Sequence, residues 1–154
     1  MEQESMVHAL EGIYRLLRPD GCLIAIRPVS GASLIEAHQG GRVLFAEPVP
    51  VPPEEYEVIA QAEDALAQVV QRRLFIVDGS GEFKFLTYAA SAAELRDSVA
   101  QTNAFHEGPR DEAVTAWEAE LLARVEEIMR AAGEGAEVVL HDKARIARLR
   151  PVRG

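Results

Sequence analysis

Apolar residues along this chain recur at two spacings, one helical and one alternating, and the switches between them mark the elements. Met6, Leu10, Ile13 and Leu17 fall at helical spacing, which predicts a first helix with one stripe turned to a core. Pro19 ends that helix, because it disfavours the helical region for Arg18 and has no amide hydrogen to donate. Arg18-Pro19-Asp20-Gly21 then reads as a tight turn, and Cys22 to Ile26 as a buried strand. Residues 28–41 read as a loop with a short helix, closed by Gly40-Gly41, and Arg42 to Phe45 as a short strand. Pro48, Pro50, Pro52 and Pro53 stiffen an extended crossover rather than a domain linker.

A long second helix follows Pro53, with Glu54, Glu55 and Glu57 in its first turns, where the helix dipole favours acids. Ile59, Ala62, Leu66, Val69 and Val70 supply its apolar stripe. Leu74 to Val77 and Glu82 to Tyr88 read as two strands joined by a hairpin turn at Asp78-Gly79-Ser80-Gly81. Ser91-Ala92-Ala93-Glu94 is a capping box, which opens a helix with Leu95 and Val99 inward. A fourth helix is predicted from about Pro109 to Ala132, with Val114, Trp117, Leu121, Val125 and Ile128 buried and Gly133 as its stop. Glu137 to His141 and Lys143 to Arg150 close the chain as strand or hairpin, with His141-Asp142-Lys143 as a polar turn. No repeat and no low-complexity tract interrupts this order.

The chain has 154 residues, 48% hydrophobic and 27% charged, ordinary for a soluble globular protein of one domain spanning 1–154. No apolar run approaches the roughly 20 residues that cross a bilayer, and no signal-peptide pattern opens the chain, so no membrane partner is expected. The lone Cys22 excludes an internal disulfide and points to a reducing, cytoplasmic setting. It reads as a small buried hydrophobe rather than a reactive thiol.

Charge is spread unevenly. Residues 51–140 carry eighteen acids against seven bases, whereas residues 141–154 carry one acid against five bases. An acidic body repels phosphate backbones, so nucleic acid is not an expected partner. Lys143, Arg145, Arg148, Arg150 and Arg153 interleave with Ala144, Ile146, Ala147 and Leu149, as in a sheet strand with solvated arginines.

Ala9-Leu10-Glu11-Gly12-Ile13-Tyr14-Arg15-Leu16-Leu17-Arg18-Pro19-Asp20-Gly21 resembles the segment Ala-Leu-x-x-x-x-Arg-x-Leu-x-Pro-Gly-Gly of class I S-adenosylmethionine-dependent methyltransferases. In that family the segment precedes the fifth strand of the sheet. Asp20 stands where the family has glycine, a residue the turn tolerates. Tyr88 to Leu95 resembles the family's penultimate-strand-to-helix joint, and Ala144 to Arg150 its last strand. The resemblance implies an α/β fold: a partial Rossmann-like methyltransferase sheet, made of the last strands with an antiparallel edge and packed by helices. Because the unit stands at the start of the chain, it also implies the carboxyl-terminal half alone, as in a truncated product, a cloned fragment or one half of a split enzyme.

The chemistry of the whole family needs a glycine-rich first loop and a following acid to hold S-adenosylmethionine. Gly31, Gly40-Gly41, Gly79-x-Gly81 and Gly133-x-Gly135 are the glycine clusters here, and none has that order. No cofactor-binding and no catalytic residue is therefore expected, and the chain alone should neither bind the cofactor tightly nor transfer a methyl group. His8, His38, His106 and His141 show no metal-ligand spacing, so no metal is expected. The resemblance places the loop after the first strand beside the substrate, which makes Arg27, Ser30 and His38 the substrate-side candidates, although ordinary loop solvation explains them as well. Two partners fit a remnant sheet with an exposed edge: a second copy, or a complementary chain carrying the first strands. The competing reading is a non-catalytic oligomerisation or binding module.

Overall fold

The computed structural model describes residues 3–103 and 111–154. The elements run α1 (Gln3–Leu16), β1 (Leu23–Pro28), β2 (Leu34–Gln39), β3 (Arg42–Pro48), α2 (Pro53–Gln71), β4 (Phe75–Ala89), α3 (Ala92–Asn103), α4 (Glu112–Ala132) and β5 (Ala136–Pro151). The protein is mixed α/β, with a five-stranded antiparallel sheet packed by helices. Its strand order is β1-β5-β2-β3, and β4 also pairs with β5. Among the described residues no helix is long and apolar enough to cross a membrane.

The chain divides into two compact units, each assembled from separated stretches of sequence. The first comprises residues 1–30, 53–83 and 143–154. Its core joins Val7 of α1, Ala65 and Val69 of α2, Phe75 of β4, and Ala147 and Leu149 of β5. The helical stripe of α1 is centred on Val7 and Tyr14 more than on Ile13, because Met6, Leu10, Tyr14 and Leu17 all pack here. The Tyr14 ring meets Phe75 edge-on at 5.6 Å, and its hydroxyl donates to the Val152 carbonyl at 2.7 Å. The Arg18–Gly21 turn forms as expected, closed by the Gly21 amide donating to the Arg18 carbonyl at 2.9 Å. A Cβ at Gly21 would come within 3.1 Å of that same oxygen, so only glycine closes the turn without displacing it.

At the far end of α2 the Arg73 amide donates to Val70 and the Leu74 amide to Val69. This is a Schellman closure, in which Arg73 takes the left-handed conformation (φ 58°) usually reserved for glycine. Leu74 and Val69 both join the core below it.

The second unit comprises residues 31–52 and 84–142. Ile35 and Ala37 of β2, Val138 of β5, Leu95 of α3, and Leu121, Val125 and Met129 of α4 make its core. Gly40 (φ 57°) and Gly41 (φ 77°) turn β2 into β3, the left-handed pair that a two-residue hairpin turn requires. The capping box is present: the Glu94 amide donates to Ser91 Oγ at 3.1 Å, and the Glu94 carboxylate reaches back to the Ala90 amide at 2.8 Å. Asp111 caps α4, accepting from the Ala113 amide at 2.7 Å. The expected start of this helix near Pro109 lies outside the described residues, as does His106.

Five expectations are corrected. Residues 34–39 are strand, not short helix, because Ile35 and Ala37 alternate inward while Glu36 and His38 point out. The turn expected at Asp78–Gly81 is absent, and β4 runs through it unbroken, with Gly79 and Gly81 extended and Asp78 and Glu82 fastened to cations of β5. His141-Asp142-Lys143 lies inside β5 rather than at a bend. Cys22 is exposed and precedes β1, which is half-buried: residues 22, 24, 26 and 28 fall on its open face. Trp117, expected in the core, is 41% exposed, because Leu121, Val125 and Met129 carry the buried stripe of α4.

Candidate functional site

The second unit gathers two histidines and a carboxylate on one face of the sheet. Glu36 and His38 stand two residues apart on β2 and so leave the same face. His141 on β5 is the register partner of Leu34, and directly paired residues share a face, so it joins them. The β2–β3 register shifts between Ala37 and His38, where β3 steps from Phe45 to Val43, so the extra residue, Leu44, lies on β3 opposite the cluster's strand. Beneath the cluster β5 is dry: Val138 and Val139 are both fully buried, and Val139 is the register partner of Glu36.

The two imidazoles converge on a single oxygen. His38 Nε2 lies 2.5 Å from Glu36 Oε2, and His141 Nε2 lies 2.8 Å from the same atom. Hydrogen bonding from His38 is the largest influence on the Glu36 carboxyl and holds it below the usual range, with His141 adding to the effect against the opposing cost of burial. All three side chains are partly open to solvent. One residue along each chain segment from the Leu34–His141 pair, Ser33 donates its hydroxyl proton to Asp142 Oδ1 at 2.5 Å. The ligand atoms of Glu36, His38 and His141 lie within 4.8 Å of one another, close enough to be bridged by one metal ion.

The first unit organises its charges differently. Glu63 of α2 receives Arg27 through two hydrogen bonds, at 2.8 and 3.1 Å, and Arg145 at 3.3 Å. Glu82 takes Arg145 and Lys143, and Asp78 takes Arg148 and Arg150. Arg153 lies over the Tyr14 ring at 4.1 Å and donates to the carbonyls of Tyr14 and Leu17 at the end of α1. All five basic residues of the carboxyl-terminal stretch therefore have a partner. A polar cleft of about 400 Å³ lies between α1 and α2, lined by Glu4, His8, Glu11, Gln68 and Arg72 and tied across by Arg72 and Glu11 at 2.7 Å.

Of the three substrate-side candidates, Arg27 is a tie between β1 and α2, and the Ser30 hydroxyl is buried with no hydrogen-bond partner among the described residues. His38 belongs to the second unit and its cluster. Glu36 and His141 were not among the candidates. The signal for Glu36 is the Glu-x-His spacing with His38 on an alternating strand, which a helical reading of residues 34–39 hides; His141 joins them only through the β2–β5 register. Compared with known proteins, the chain matches no family model, no curated protein and no solved structure.

Proposed function

We propose that this protein is a non-catalytic association module in which β4 pairs with β4 of a second copy. One observation carries the reading. β4 is fifteen residues long, pairs with β5 alone among the described strands, and is exposed on both faces over most of its length. In the first unit its stretch shows Ile76 and Val77 to solvent, and in the second Leu86 and Tyr88. A long open edge, apolar towards both ends, is a template for further pairing, and natural sheets cover or blunt such edges. Pairing with an identical strand is self-complementary, since the same edge serves both copies about a two-fold axis. Ile24 and Ile26 add an apolar outer face on β1.

Sedimentation velocity at low micromolar concentration tests this. The protein is expected to run as a dimer, and I76K/Y88K, altered at two exposed side chains, as a monomer with unchanged circular dichroism. A monomeric wild type, or a variant that still dimerises, overturns the reading.

A second reading, the carboxyl-terminal half of a methyltransferase-like fold, is favoured by the Arg18–Gly21 turn entering β1 and by the antiparallel pairing of the last strand with β1. On that reading the protein stays monomeric by itself and pairs with a different chain bearing the first strands. S-adenosylmethionine should give no heat with this chain alone. Micromolar binding in that titration would instead assign it a complete cofactor site.

A further inference from the structure

We infer that Glu36, His38 and His141 form a binding site for a divalent transition-metal ion of the zinc class. The geometry carries the inference, independently of how β4 pairs. Two imidazole nitrogens and a carboxylate oxygen already converge, with both Nε2 atoms 2.5–2.8 Å from Glu36 Oε2. Tetrahedral zinc, with bonds of about 2.0–2.1 Å to such donors, holds ligand atoms roughly 3.3 Å apart. A set of donors lying within 4.8 Å of one another reaches that spacing by side-chain rotation, without moving a strand. The backbone positions are firm, since β2 is hydrogen-bonded to β3 on one side and β5 on the other. Ligands mounted on paired strands are better fixed than ligands on loops.

The donor set selects the ion. Two imidazoles with one carboxylate suit zinc, cobalt or nickel, whereas magnesium and calcium call for oxygen donors. Three protein ligands leave a fourth position, and the partial exposure of all three side chains turns that position to water or a small anion. Binding replaces the two Nε2–H···O hydrogen bonds by Nε2–metal bonds. Each neutral imidazole then carries its remaining proton on Nδ1, and any imidazolium present gives one proton to solvent.

Isothermal calorimetry of the full chain with zinc chloride, after treatment with a chelator, tests the site. One ion per chain is expected, at micromolar affinity or tighter, with magnesium chloride giving no competition. His38→Gln and His141→Gln should each weaken zinc binding by at least about 100-fold, since losing even an outer partner of a ligand costs 10–100-fold. His8→Gln, on α1 and outside the cluster, should bind as the wild type does. Cobalt chloride should give visible absorption of tetrahedral intensity in the wild type, lost in both cluster variants. If a cluster variant fails to fold, the wild-type imidazole resonances decide. Shifts at His38 and His141 on zinc addition, with His8 unmoved, support the site. No saturable binding to the wild type, binding undiminished in folded cluster variants, or shifts confined to other histidines overturn it.

Discussion

His141 Nε2 lies 2.8 Å from Glu36 Oε2, although 105 residues separate the two in the chain. The pairing depends on the register that sets Leu34 against His141 and Glu36 against Val139. A shift by one residue would send Glu36 and His38 to the core face and Ile35 and Ala37 to water. The buried alternation of β2 is thus what aims the polar cluster.

The Schellman closure after α2 places Arg73 at a φ of 58°, which costs a residue with a β-carbon but not glycine. Arg73→Gly is expected to raise stability by about 0.5–1 kcal/mol in urea unfolding. A loss of stability would mean that the arginine side chain contributes more than its backbone costs.

The glycines inside β4 and those in the β2–β3 turn should respond oppositely to threonine. At Gly79 and Gly81 a Cβ meets nothing within 4 Å and the backbone is extended, so Gly79→Thr and Gly81→Thr should be neutral or stabilising by up to about 1 kcal/mol. Gly40→Thr and Gly41→Thr force a β-branched residue into left-handed backbone and should cost about 1–3 kcal/mol. Thermal melts of the four variants read the contrast directly.

Phe75 and Trp117 separate a true core aromatic from an exposed one. Phe75 is fully buried against Tyr14, and Phe75→Ala should cost about 3–5 kcal/mol. Trp117→Ala should cost no more than about 1 kcal/mol by the same unfolding measurement, since much of the indole is already in water.

Acid should loosen the ties between β4 and β5. Hydrogen bonding from Arg148, then Arg150, holds the Asp78 carboxyl below its ordinary 3.8. Lys143 and Arg145 likewise hold Glu82 below 4.5. A carboxyl whose folded pKa is depressed adds stability above its unfolded value, and that stability is lost as pH falls through the folded one. Stability from these two groups is therefore complete above 4.5 and declines below it. D78N/E82Q should flatten the acid limb of a stability–pH profile, and a limb of unchanged slope would show that other carboxyls govern it.

Helix positions were legible because their signals are local. The Pro19 stop, the Ser91–Glu94 box and the Gly133 end each depend on residues within one or two turns. The strands were harder to read. Residues 35–38 alternate, yet Gly40-Gly41 suits the end of a short helix as well as a hairpin turn between two strands. Asp78-Gly79-Ser80-Gly81 has turn composition and still lies in a strand, because Arg148 and Arg150, some seventy residues away, hold Asp78 in line. The same distance hides His141, which acquires meaning only through the β2–β5 register, whereas Glu36 lies two residues from His38 on one strand. The two compact units also interleave along the chain, so no change of composition announces them.

Cys22 is the single sulfhydryl in the chain and stands on its solvent-facing side. A maleimide dye or nitroxide added to the unmodified protein therefore attaches at one known point. In any assembly of identical copies, the spacing between such labels is a ruler that requires no mutagenesis.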